Sequence, residues 1–201
     1  MFDARLRPLI DPPLNALGGG LARLGIGANL VTLAGLVPAL LAAFAIAHQH
    51  YGVGLFLILI NRLLDGLDGA VARASGITDF GGYLDTLADY VFYVSVPLAF
   101  GLATPANTQA SMLLIASFTL TCASFLVFAA IAAKRGNDTR AHGTKSFFYS
   151  TGLAEGFETI VAFVAMCIWP QHFTLIASVF AVLCLITVLQ RSWIARRAFA
   201  D

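Results

Sequence analysis

Six stretches of this chain are apolar and long enough to cross a lipid bilayer: residues 29–48, 51–73, 80–104, 110–133, 146–169 and 172–190. A spanning helix takes roughly 20 residues. Strands of a membrane barrel alternate apolar and polar side chains, and no such alternation runs through these blocks. The backbone inside them must therefore satisfy its own hydrogen bonds as helix. Composition agrees, with 59% of the 201 residues hydrophobic and 11% charged, where soluble domains carry about 25% charge. The expected architecture is an all-α integral membrane protein forming a single membrane domain over 1–201. A six-helix transmembrane bundle over 26–195 is preceded by an N-terminal interfacial segment over 1–25.

In that segment Phe2, Leu6, Leu9 and Ile10 fall at helical spacing with Arg5 and Arg7 interleaved, as in a helix lying along headgroups. Pro8, Pro12, Pro13 and the Gly18–Gly20 run are expected to limit its length. Basic residues mark orientation. Arg5, Arg7 and Arg23 precede the first span, and Arg73 borders the second connection. Lys134, Arg135, Arg140 and Lys145 occupy the fourth, and Arg191, Arg196 and Arg197 the tail. The connections at 49–50, 105–109 and 170–171 carry neither Lys nor Arg. Both termini and the even-numbered connections are thus expected on the cytoplasmic side, in a bacterial inner membrane. No basic stripe with interleaved aromatics suits a nucleic acid. Cys122, Cys167 and Cys184 each sit inside an apolar block and read as small buried hydrophobes. His48, His50, His142 and His172 have no helical His partner and read as surface residues, and Phe147, Phe148 and Tyr149 as interfacial anchors.

The polar residues placed where they cost most are acidic. A carboxylate at a helix centre in a bilayer costs about 2.5–3.5 kcal/mol on insertion scales, and residues retained there are usually functional. On a helix, Asp65 and Asp68 lie one turn apart on one face, with Gly69, Ala72 and Arg73 on or beside it. Gly81, Asp85 and Asp89 follow at four-residue steps along a second helix. The connection at 74–79 is short enough to make the two helices antiparallel neighbours whose acidic stripes face each other. Four carboxylates so packed repel strongly, and either protons or divalent cations must relieve them. Hard oxygen donors at this density suit Mg²⁺ or Mn²⁺, in a pair about 3.5–4 Å apart. Gly69 and Ala72 leave room beside the backbone, and Arg73 offers a planar fork for phosphate oxygens. Asp79, with Thr78, reads as an N-cap of the third span. Arg62 is placed either to line the site or to snorkel.

These residues resemble the signature of the CDP-alcohol phosphotransferase (CDP-alcohol phosphatidyltransferase) family, D-x2-D-G-x2-A-R-x8-G-x3-D-x3-D. The chain supplies Asp65, Asp68, Gly69, Ala72, Arg73, Gly81, Asp85 and Asp89 in order. It departs in the turn, where seven residues rather than eight separate Arg73 from Gly81. The resemblance implies a phosphatidyl transfer from CDP-diacylglycerol to an alcohol with release of CMP, in a homodimeric enzyme of phospholipid biosynthesis. It implies that Asp65, Asp68, Asp85 and Asp89 hold two divalent cations, Mg²⁺ or Mn²⁺. It makes Asp89 also the general base, and makes Asp65, Asp68, Gly69, Ala72, Arg73 and Gly81 the binding positions for the CDP donor.

The acceptor is less legible. Glu155 and Glu158 stand three residues apart in the fifth span, beside a Gly152–Gly156 pair suited to helix packing. They are candidates for lining the same cavity and binding acceptor hydroxyls or an amine. A phosphorylated acceptor calls for a basic pocket, for which Arg62, Lys134, Arg135 and Lys145 are the candidates. Three alternatives stand beside this reading: a CDP-choline or CDP-ethanolamine donor with diacylglycerol as acceptor, a divalent-cation transporter, and a catalytically silent membrane scaffold that retains the metal site. Transporters often carry inverted repeats, and here the acidic cluster occurs once.

Overall fold

In a computed structural model, residues 3–135 and 155–199 are described. They form seven α-helices and no strand: α1 (Asp3–Arg23), α2 (Ala28–Ala47), α3 (Tyr51–Ser75), α4 (Asp79–Ala103), α5 (Thr108–Lys134), α6 (Gly156–Ile168) and α7 (Phe173–Phe199). Short 3₁₀ turns at Pro105–Asn107 and Pro170–His172 lead into α5 and α7. Of the six expected spans, Arg140, His142, Lys145, Phe147, Phe148, Tyr149 and Gly152, in or before the fifth, lie outside the described residues.

Among the described residues, four segments are long and apolar enough to cross a membrane: α2, α4, and α5 and α7 with their leading turns. The helix α3 has the length, at 25 residues, but Arg62, Asp65, Asp68 and Arg73 dilute its apolar character. It is shielded by packing along α2 and α1 and against α6. The helix α6 has 13 residues, short of the roughly 20 a span needs.

The helix α1 differs from expectation, because it runs unbroken through its prolines and glycines. Pro12 and Pro13 lie on its exposed side. Gly18 is buried against α3, where a Cβ would stand 2.7 Å from Ala70 Cβ and 2.8 Å from the Ala70 carbonyl carbon. Only glycine permits that approach, so the residue that weakens α1 as an isolated helix is the one that docks it.

The core joins Ala39, Ala42 and Ile46 of α2 and Ile58 of α3 to an aromatic cluster among α4–α7. Phe100 stacks on Phe173 with ring centroids 4.5 Å apart, and Phe92 meets Phe163 edge-on at 5.5 Å. Cys167 and Cys184 are buried in it at 6% and 1% exposure, as small hydrophobes, while His48, His50 and His172 are exposed. This apolar packing occupies the C-terminal half of α4. Its N-terminal half, with Asp85 and Asp89, is left to meet the polar end of α3.

Candidate active site

The helix α3 stops because Gly76 takes φ 110°, a conformation other residues rarely adopt. Its N–H donates to the Ala72 carbonyl at 2.9 Å. Two residues later Thr78 caps α4, its hydroxyl oxygen accepting the Gly81 N–H at 3.0 Å. The cap is therefore Thr78 alone, and Asp79 is the first helical residue rather than a cap. The backbones of α3 and α4 scarcely touch, because α2 packs against both. Helices that pack face to face, as expected from the short turn, would leave no room for four carboxylates and a ligand.

Asp65 of α3 and Asp85 and Asp89 of α4 each bring a carboxylate oxygen within 4.8 Å of the others. Asp68, 4% exposed, stands between two hollows: it lines a crevice with Asp65 and Arg62, and a larger cavity with Asp85. Arg62 does not snorkel. Its Nη1 donates to Asp89 Oδ1 at 2.9 Å and lies 3.6 Å from Asp65 Oδ2. Its Nε donates to Asn61 Oδ1 at 2.9 Å, and Asn61 Nδ2 donates to the Gly35 carbonyl of α2 at 2.9 Å. The guanidinium also lies 4.1 Å above the Phe92 ring. One guanidinium can balance only one of these carboxylates when ionised, so protons or cations must relieve the rest. Three converging carboxylates of hard oxygen donors fit a hard divalent cation, so the residues present suit the metals that the sequence motif implies.

The larger cavity has a volume of about 660 Å³, within the usual range for small-molecule sites. Asp68, Gly69, Ala72 and Arg73 of α3 form one wall, and Gly81 and Asp85 of α4 another. All the donor-binding candidates line it except Asp65, which lies behind Asp68 in the crevice.

A third wall was not anticipated from sequence: Gly27, Ala28, Asn29 and Thr32 at the start of α2. Gly27 offers no side-chain cap, so the first amides of α2 stand at the cavity unclaimed by a side chain, an arrangement favourable to anions. A polar Asn and Thr at the head of an otherwise apolar block were the available signal. Gly81 is confined by this wall, since a Cβ there would lie 2.9 Å from Thr78 Oγ1 and 3.2 Å from Asn29 Oδ1.

The acceptor candidates are scattered. Arg62 joins the acidic cluster, as above. Glu155 lines a separate hollow of about 120 Å³ with Tyr90, Tyr93 and Thr159, not the larger cavity. Glu155 and Glu158 form a reciprocal capping box at the start of α6, with the Glu155 N–H donating to Glu158 Oε2 at 3.3 Å. Lys134 ends α5, and Arg135 Nη2 donates to the Phe199 carbonyl at 3.1 Å. Neither lines the larger cavity. Lys145 lies outside the described residues.

Comparison with known proteins gives this geometry a context. The chain is 44% identical over 194 residues to the inner membrane protein YnjF of Escherichia coli, covering 96% of this chain and 94% of that one. It is 37% identical over 101 residues to an archaetidylinositol phosphate synthase of Pyrococcus horikoshii, covering 50% of this chain and 53% of that enzyme. Its fold matches a crystal structure of Mycobacterium tuberculosis phosphatidylinositol phosphate synthase with CDP-DAG bound, at a TM-score of 0.66 and 23% identity, over 91% of this chain and 93% of that one. The same enzyme in complex with manganese and citrate matches at 0.65, over 90% and 88%. The four apolar helices and the likeness to an inner membrane protein make the chain an integral membrane protein. Residues 26–193 match the CDP-alcohol phosphatidyltransferase family, to which this chain belongs.

Proposed function

We propose that the protein transfers a phosphatidyl group from CDP-diacylglycerol to an alcohol, releasing CMP. The observation that carries this is the meeting of Asp65, Asp85 and Asp89 beside a cavity that Asp68, Gly69, Ala72, Arg73 and Gly81 line. A relative in fold is described with CDP-DAG bound and, in another crystal, with manganese, which supports the donor and the metal alike.

Two divalent cations, Mg²⁺ or Mn²⁺, held by Asp65, Asp68, Asp85 and Asp89 would supply charge neutralisation for the diphosphate and the departing CMP oxygen. The chain does the rest. Gly69, Ala72 and Gly81 admit the nucleotide close to the backbone, and Arg73 with the amides at the head of α2 binds phosphate oxygens. Asp89 accepts the proton of the acceptor hydroxyl as its oxygen bonds to the β-phosphorus and the bond from that phosphorus to the CMP oxygen breaks. Arg62, which donates to Asp89, holds that carboxylate aimed for the step.

In the membrane, α1 lies along the cytoplasmic headgroups, and six spans form one membrane domain: α2–α5, α7, and a fifth over 146–169 of which α6 is the described part. The site opens to the cytoplasm, where CDP is reached from water while the lipid tails stay in the bilayer. The protein works as a homodimer in a bacterial inner membrane. The alcohol is selected elsewhere than in the donor cavity, with Arg62, Glu155 and Glu158 the nearest candidates to contact it.

The test is CMP release by the purified protein in liposomes containing CDP-diacylglycerol, with Mg²⁺ or Mn²⁺ and a panel of alcohol acceptors. Metal-dependent CMP release with one acceptor, lost in Asp85→Asn, is expected. No release with any acceptor, or release indifferent to metal, sinks the proposal.

A further inference from the structure

We infer that Asn15, on the N-terminal helix, is a positioning residue that aims Arg73 into the donor cavity; this rests on the donor-site reading just given. A guanidinium has five N–H donors in a planar fork. One edge of Arg73 is already committed, with Nε donating to Asn15 Oδ1 at 3.2 Å and Nη2 to the same oxygen at 2.9 Å. The remaining donors, including both of Nη1, are left for another acceptor. Nη1 stands 3.3 Å from where a Cβ on Gly69 would be, and Gly69 is part of the cavity wall. An arginine held by one edge presents the other to a phosphate with less freedom left to lose on binding.

Asn15 and Arg73 are both exposed, and a hydrogen bond between exposed side chains is ordinarily incidental. The contacts around this one set it apart. The neighbours of Asn15 on the docked face of α1, Leu14 and Gly18, are both buried. Leu14 Cδ1 lies 2.9 Å from where a Cβ on Gly66 would be, and Gly18 lies against the backbone of Ala70 and Val71. Two glycine-permitted approaches, one on each helix, thus lock the register of α1 on α3 at the position of Asn15. Asn15 cannot slide away from Arg73 without breaking both. The N-terminal helix thereby contributes to the donor site without touching the donor.

The test is a double-mutant cycle in the liposome assay, with CDP binding in the presence of Mn²⁺ measured in parallel by equilibrium titration. Arg73→Lys, which keeps the charge but not the fork, should raise the KM for CDP-diacylglycerol about tenfold. Asn15→Ala should raise it about fivefold, with kcat within about twofold of wild type, and weaken CDP binding in step. In the Arg73→Lys background, Asn15→Ala should change neither constant by more than about twofold, since no guanidinium edge remains to be held. If Asn15→Ala does not fold, Asn15→Ser, too short to reach the guanidinium, takes its place. An unchanged KM in Asn15→Ala, or an equal loss in both backgrounds, overturns the positioning role. Normal KM and CDP binding in Arg73→Lys would instead overturn the assignment of Arg73 to the donor, and the role of Asn15 with it.

Discussion

Arg62 of α3 reaches across to α4 and donates from Nη1 to Asp89 Oδ1 at 2.9 Å. The pairing makes the acidic cluster a mixed one, with a fixed cation on its apolar side and space for exchangeable cations on the other. The Gly35 carbonyl, Asn61, Arg62 and Asp89 form one chain of hydrogen bonds through α2, α3 and α4. The three helices are thus tied at a single depth, next to the cavity.

Removal of that cation should cost stability more than packing. Arg62→Met keeps the stem over Phe92 but leaves Asp65 and Asp89 without their partner. The loss should be about 2 kcal/mol, below the penalty of breaking a fully buried pair, because the Asp65 and Asp89 side chains are 35% and 30% exposed. Arg62→Met/Asp89→Asn should regain part of it. Thermal unfolding of the detergent-solubilised variants gives the comparison, and a double variant less stable than Arg62→Met would contradict the pairing.

Metal should substitute for what the guanidinium leaves undone. Mn²⁺ at about 100 times its dissociation constant should stabilise the wild-type protein by about 2.7 kcal/mol relative to the EDTA-treated form. Asp85→Asn, which removes a member of the three-carboxylate group, should lose most of that gain while unfolding near the wild-type temperature in EDTA. A full Mn²⁺ response in Asp85→Asn would place the cation elsewhere. The readout is the melting temperature across a metal titration, independent of turnover.

The contrast between legible and hidden features has a physical basis. Spacing along one helix is written in the sequence, so Asp65 and Asp68, or Gly81, Asp85 and Asp89, could be put on common faces from the helical period. Contacts between helices are not. Nothing in the period of α1 says that Asn15 meets Arg73, or that prolines and glycines are tolerated because Gly18 docks on Ala70. The first turn of α2 lines the cavity only because α2 lies against both α3 and α4. One local feature was missed, the reciprocal cap of Glu155 and Glu158. Their mutual cap was masked because glutamate replaces the usual Ser or Thr at the N-cap.

That cap separates two roles for Glu158. Glu158→Gln still offers an oxygen to the Glu155 N–H, so it should stay within about 0.5 kcal/mol of wild type, whereas Glu158→Ala should lose about 1 kcal/mol. If capping is the whole role, the acceptor KM in Glu158→Gln stays at the wild-type value. A rise of about tenfold in that KM with stability intact would assign the carboxylate to the acceptor instead. Melting temperature and acceptor kinetics on the same preparations decide between them.

Two glycines of the cavity wall should respond differently to the same added methyl. At Gly69 the nearest atom to a new Cβ is Arg73 Nη1, at 3.3 Å, the far end of a flexible side chain that can swing aside. Gly69→Ala should therefore leave stability unchanged or slightly raised, alanine being the better helix former by about 1 kcal/mol. Its KM for CDP-diacylglycerol should rise, because the guanidinium is pushed out of its place and the wall is thickened. At Gly81 a new Cβ meets Thr78 Oγ1 at 2.9 Å and Asn29 Oδ1 at 3.2 Å. Thr78 Oγ1 is the cap of α4, so the methyl disturbs a bond that terminates the helix as well as the wall of α2. Gly81→Ala should lose about 1 kcal/mol through the cap and weaken donor binding together. Unfolding temperature and KM measured side by side separate the two, and a Gly69→Ala protein less stable than Gly81→Ala would show that the packing around Arg73 is far stiffer than its exposure implies.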